Sequence, residues 1–111
     1  MHEPMLYLDH AATTPMRPEV WEAMAPHAGE IYGNASGSHS AARAAKNALE
    51  LAREEAAALL GAEPLEIVFT GGGTEADNLA VQGAALARGR RGGVVTSAIE
   101  HEAVLETARF L

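Results

Sequence analysis

Cysteine is absent from the 111 residues. That excludes a disulfide framework, a zinc ribbon or a thiol nucleophile supplied by this chain. Lysine occurs once, at Lys46. Aromatic residues make up only 5%, and much of the 48% apolar fraction is alanine. A core built from these residues alone is thin, and small domains are marginal to begin with. Positive charge is scarce as well: eight Lys and Arg stand against fifteen Asp and Glu, for a formal charge of −7. That argues against a nucleic-acid or anionic-membrane surface. No apolar run approaches the length of a membrane span. Met1-His2-Glu3-Pro4 has no basic region followed by an apolar one, so no secretory signal is expected. These absences point to a soluble cytoplasmic protein of one domain, or a piece of a larger one.

What is present has α/β grammar. Met5 to Leu8 suits an extended segment, and Asp9 to Pro18 is expected to be irregular. Pro18 to Ala25 fits a short helix with Val20, Trp21 and Met24 on one face, ended by Pro26, whose ring cannot continue the hydrogen-bond ladder. Glu30 to His39 is rich in Gly, Asn and Ser and reads as a long loop. Ser40 is the expected N-cap of a helix through Leu60. Its stripe of Ala45, Leu49, Ala52, Ala56, Leu59 and Leu60 faces a core, and Gly61 closes it. Lys46 and Glu50 form an i,i+4 pair worth about 0.2–0.5 kcal/mol. Leu65 to Thr70 and Gly93 to Ser97 read as strands. Thr74 to Ala87 reads as a second long helix, and a third begins near Glu100 or His101. The basic cluster Arg88-Gly89-Arg90-Arg91 reads as a solvated loop. Ending inside an apolar helix at Phe110-Leu111, the chain has the look of a truncation.

The run from Ile67 to Asn78 combines an expected strand, three glycines and the start of a helix. Glycine lets the backbone approach a ligand closely. The first N–H groups of the helix are unpaired and carry the positive end of its dipole. Such a corner can seat a phosphate. From the residues alone, three readings stand. Gly71-x-Gly73-x-x-Ala76 fits a dinucleotide site, with Glu100 as the ribose acid. The corner could seat another phosphate ester, with His101 reaching over the ligand. It could also be only a tight turn.

The five histidines show no metal spacing. His101-Glu102 begins like a zincin motif, but Leu105 stands where its second His belongs, so no metal site is expected. Glu75, Asp77, Glu100 and Glu102 read as carboxylates at helix starts, well placed for the dipole. Asp9 reads as a turn or capping residue.

Four motifs, in order and suitably spaced, carry a resemblance. They are Tyr7 to Pro15, Gly33-Asn34-Ala35-Ser36 with His39, Ile67 to Asn78, and Glu100-His101-x-Ala103-Val104-Leu105. Together they resemble the N-terminal part of the cysteine desulfurases, which belong to the class V aminotransferase group of pyridoxal 5'-phosphate (PLP) enzymes. The opening Thr74-Glu75-Ala76-Asp77-Asn78 is similar to the NifS/IscS-type branch more than to the SufS-type branch.

The resemblance implies the N-terminal portion of a fold-type I PLP-dependent transferase, with parallel strands of a large-domain sheet and flanking helices. Residues 1–15 would accompany the small domain and 16–111 would begin the PLP-binding large domain. Gly73 and Thr74 would hold the cofactor phosphate. His101 would stack on its ring and act in catalysis. Asp9 to Thr14 and the Asn34 loop would lie on the substrate side. The implied reaction takes L-cysteine to L-alanine and passes sulfur to an acceptor as a persulfide. The implied partners are a sulfur-acceptor or iron–sulfur scaffold protein and a second copy in a homodimer. The Schiff-base lysine and acceptor cysteine of that chemistry have no counterparts here, because Lys46 decorates the polar side of a helix. The chain alone is therefore expected to be inactive and marginally stable. Two alternatives stay open: a related class V enzyme such as a selenocysteine lyase, and a dinucleotide-binding α/β module.

Overall fold

The computed structural model describes residues 6–89 and 93–111. Its elements are four helices and one turn of 3-10 helix: α1 (Pro18–Gly29), α2 (Ser40–Leu60), the 3-10 turn (Pro64–Glu66), α3 (Gly73–Ala87) and α4 (Glu102–Phe110). Two units divide the chain, Met1–Glu66 and Ile67–Leu111. The expectations at Met5, Arg90 and Arg91 lie outside the described residues.

In the first unit, Asp9 opens a turn. Its carbonyl accepts from the N–H groups of Ala12 at 3.1 Å and Thr13 at 3.5 Å. The Tyr7 hydroxyl donates to the same carbonyl at 2.8 Å, and the Tyr7 and His10 rings meet edge to face. Pro18 starts α1, where its missing N–H costs nothing. Pro26 does not end the helix as expected; α1 continues through it to Gly29. Proline removes only its own N–H, and its carbonyl still accepts from Glu30 at 2.9 Å and Ile31 at 2.8 Å. Placed in the last turn, it costs one hydrogen bond rather than the helix. The supposed single face of α1 also divides. Val20 and Met24 line an open groove of about 710 Å³ toward Ala48 and Leu51 of α2. Trp21 is turned away from that groove, beside Pro26 and Gly29.

The loop before α2 is built by Asn34. Its side-chain oxygen accepts from the Ser36 N–H at 3.0 Å and the Ser36 hydroxyl at 2.8 Å. Gly33 presses against the first turn of α2, and a Cβ there would stand 2.4 Å from the Ala41 carbonyl oxygen. His39, not Ser40, is the N-cap of α2: its Nδ1 accepts from Ala42 N–H at 3.3 Å. The other end matches the expectation. Gly61 takes left-handed φ 66° and ψ 32°, and Ala62 N–H closes back on Ala57 at 2.9 Å, as in a Schellman ending.

Along α2 the fully buried residues are Ala42 and Ala57. The expected stripe is only partly covered, and Leu59 and Leu60 at its end are largely exposed. A helical stripe is buried only where another element lies over it; the 3-10 turn packs at that end and Ala57 is buried there, but Leu59 and Leu60 are left uncovered. Glu50 pairs with Arg53 at 3.3 Å, one turn away in the direction opposite to Lys46.

The two expected strands are corrected as well. Leu65 falls in the 3-10 turn, and neither 67–70 nor 93–97 forms a strand. Strand geometry is stabilised by a neighbouring ladder, and the described residues contain no such ladder. The described architecture is therefore helical, without the expected parallel sheet. No helix is long and apolar enough to cross a membrane among the described residues.

The second unit is the packed pair α3 and α4. α3 turns its polar stripe of Thr74, Asn78 and Gln82 toward α4, leaving Leu79 and Leu86 half-exposed. Ala103 and Thr107 of α4 are the buried residues of this pair.

Candidate functional site

The glycine corner leads directly into α3. Gly72 is the N-cap, with Gly73 and Thr74 in the first turn. The first N–H groups of a helix have no intrahelical acceptor. A Cβ at Gly72 or Gly73 would meet nothing within 4 Å, so the corner is not packed against a neighbouring element at these positions. Just before the cap, Gly71 N–H donates to the Glu75 carboxylate at 2.7 Å. Glu75 thus folds back on the turn in the manner of a capping box, and its negative charge faces the same positive helix end.

His101 is the N-cap of α4, and its Nδ1 accepts from Ala103 N–H at 3.1 Å. This bond engages the Nδ1 lone pair, so the proton of the neutral ring resides on Nε2. The preceding turn is held by Ser97, whose hydroxyl donates to Glu100 at 2.9 Å. Glu100 therefore braces the approach to α4.

Thr74 and His101 border one open groove of about 550 Å³ between α3 and α4. Gly73 adjoins it at the start of α3. Glu102, Glu106 and Phe110 complete the α4 side. Glu106 is paired with Arg109, which offsets its charge. A helix start and an imidazole around one opening can bind an anion and present a ring nitrogen to whatever that anion carries. Asp9, His10 and Asn34 belong to the first unit.

Sequence reasoning missed the polar tie at the floor of this groove. The Thr107 hydroxyl is within 2.7 Å of Asn78 Oδ1 and of the Ala103 carbonyl. Asn78 Nδ2 donates to the Thr74 carbonyl at 2.8 Å, and Gln82 Nε2 donates to Asn78 Oδ1 at 3.0 Å. The i,i+4 spacing of Thr74, Asn78 and Gln82 was legible as a polar helix face. Its meeting with Thr107, 29 residues further on, had no sequence signal.

Comparison with known proteins identifies the setting. Residues 6–111 match the family model described as aminotransferase class-V. The chain belongs to the class-V aminotransferase family. Within that family it is 50% identical over 107 residues to the cysteine desulfurase IscS of Dictyoglomus turgidum, covering 96% of this chain and 27% of that protein. It is 51% identical over 111 residues to an IscS-like cysteine desulfurase of Mycobacterium tuberculosis, covering 96% of this chain and 28% of the relative. Among solved structures, a NifS-like protein superposes with a TM-score of 0.81 at 38% identity, over 92% of this chain and 28% of the other. The class-V chain thus spans just over a quarter of the length of the curated relatives it matches.

Proposed function

We propose that this chain is the N-terminal part of a PLP-dependent cysteine desulfurase. In this reading residues 16–111 begin the cofactor-binding large domain and 1–15 accompany the small domain. Support comes from the groove that Thr74 and His101 share, together with the similarity to IscS proteins.

The residues fit a phosphate ester. The N–H groups of Gly73 and Thr74 and the Thr74 hydroxyl form a donor set at a helix start, with open space at Gly72 and Gly73. These groups would hold the phosphate, and His101 would cover the ring. When bound, PLP supplies an electron sink for bonds broken at the amino-acid carbon. The part played by His101 is to orient the ring and to hold or move a proton at Nε2, since Nδ1 is committed to the helix cap.

The proposed reaction of the whole enzyme converts L-cysteine to L-alanine and hands sulfur to an acceptor or iron–sulfur scaffold protein, from a cytoplasmic homodimer. The residues that accept sulfur and bind the cofactor covalently would come from elsewhere in the enzyme, because this chain has no cysteine and only Lys46. A selenocysteine lyase would use the same cup. Membership in the class-V family favours both over a dinucleotide-binding module.

Two measurements test the proposal. Titration of the 15N-labelled chain with PLP should shift the Gly73 and Thr74 amide signals and the His101 ring signals along one binding curve. An absence of shifts at all three would overturn the site assignment. Incubation with PLP, L-cysteine and a reductant should release sulfide only at the free-PLP rate; release above that rate would show that the chain needs no further residues.

A further inference from the structure

We propose that Asn78 and Thr107 are positioning residues that lock the phosphate-seating turn to the helix carrying His101. This inference rests on the cofactor reading above for its functional meaning, but the lock itself is visible without it.

The chemistry of the carboxamide determines the arrangement. Thr74 O can only accept, so the end of Asn78 facing it must be the Nδ2 donor, at 2.8 Å. The opposite end, Oδ1, then accepts from Gln82 Nε2 at 3.0 Å and faces the Thr107 hydroxyl at 2.7 Å. Thr107 is 3% exposed, so water does not compete well for its hydroxyl. Its single proton serves two acceptors, Asn78 Oδ1 on α3 and Ala103 O on α4.

Ala103 is also the residue whose N–H caps onto His101 Nδ1. A continuous path therefore runs from the Thr74 carbonyl through Asn78, Thr107 and Ala103 to the imidazole. Every link is a hydrogen bond or a single residue's backbone. Leu79 and Leu86 of α3 are half-exposed, and Val81, Val104 and Leu105 are only partly covered. Apolar contact is non-directional, so the polar tie sets how α4 registers on α3. Placing the imidazole over a ligand held at Thr74 requires that registry.

The experiment uses the 111-residue chain, with PLP and inorganic phosphate as probes and NMR as the readout. In the ligand-free chain, Thr107→Val should speed exchange of the Ala103 amide by about fivefold, the worth of one hydrogen bond. Thr107→Ser should restore it. Asn78→Ala should match Thr107→Val, and the double variant should be no faster than either single one, because both break one path.

With PLP added, Thr107→Val should keep the Thr74 amide response while the His101 ring response falls severalfold, and Thr107→Ser should recover it. Phosphate should move the Gly73 and Thr74 amide signals, and not the His101 ring signals, in every variant. Unchanged Ala103 exchange in both Thr107→Val and Asn78→Ala would overturn the lock. So would equal loss of the Thr74 and His101 responses in Thr107→Val. If the unsubstituted chain responds to neither probe, the cofactor reading fails, and the exchange series alone decides the lock.

Discussion

Glu75 carries a negative charge toward the helix start that is proposed to bind a phosphate, and it occupies the Gly71 N–H at 2.7 Å. A carboxylate there substitutes for a bound anion and stabilises the ligand-free turn. Glu75→Gln keeps an acceptor for Gly71 and removes the charge. Affinity for inorganic phosphate should rise about two- to fivefold, as expected for one charge near a helix end, and isothermal titration can measure it. Gly33 is constrained by close approach. Its Cβ would collide with the Ala41 carbonyl, which belongs to backbone and cannot swing aside. Gly33→Ala should destabilise the loop and the first turn of α2 by about 1–3 kcal/mol, seen as faster amide exchange at Ala42. At this scale the motifs name Gly73, Thr74 and His101 as candidates, and the structure puts Thr74 and His101 on one groove. The capping bond of His101 was not legible, because a histidine side chain can accept, donate or face solvent, and only its neighbours decide.

At the scale of the element, the helices were more readable than the strands. α2 and α3 begin and end within one residue of their expected bounds, because caps, glycine and helical periodicity act locally. Histidine starts both α2 and α4, each time accepting a backbone N–H at Nδ1. His39→Ala should cost α2 about 1 kcal/mol and lower its helical circular dichroism, whereas His39→Asn should retain it. Equal signals from both variants would show that the cap contributes nothing. Pro26 was misjudged because the rule that proline ends helices applies to a chain that must still propagate. In the last turn little ladder remains to lose. The strands are a different case: whether an apolar run becomes a strand is decided by non-local pairing, and among the described residues neither 67–70 nor 93–97 is one.

For the whole molecule, exposed surface is the governing quantity. Leu65, Val95 and Ile99 are almost fully exposed, and among the described residues the buried ones are three alanines and one threonine. Burial at about 25 cal/mol per Å² is the main term opposing chain entropy, and here much of it is unrealised. Heating should therefore give a broad loss of helical signal without a sharp midpoint, and a hydrophobic dye should bind at room temperature. A cooperative melt with a calorimetric peak would contradict this account.

Composition, glycine placement and helical periodicity are properties of neighbouring residues, and the amino-acid order alone was enough to establish them, along with the family that its motifs carry. The groove between α3 and α4, the Asn78–Thr107 bond and the loss of the expected strands were settled only in three dimensions. Each depends on how groups distant in the chain are brought together, which local sequence does not specify.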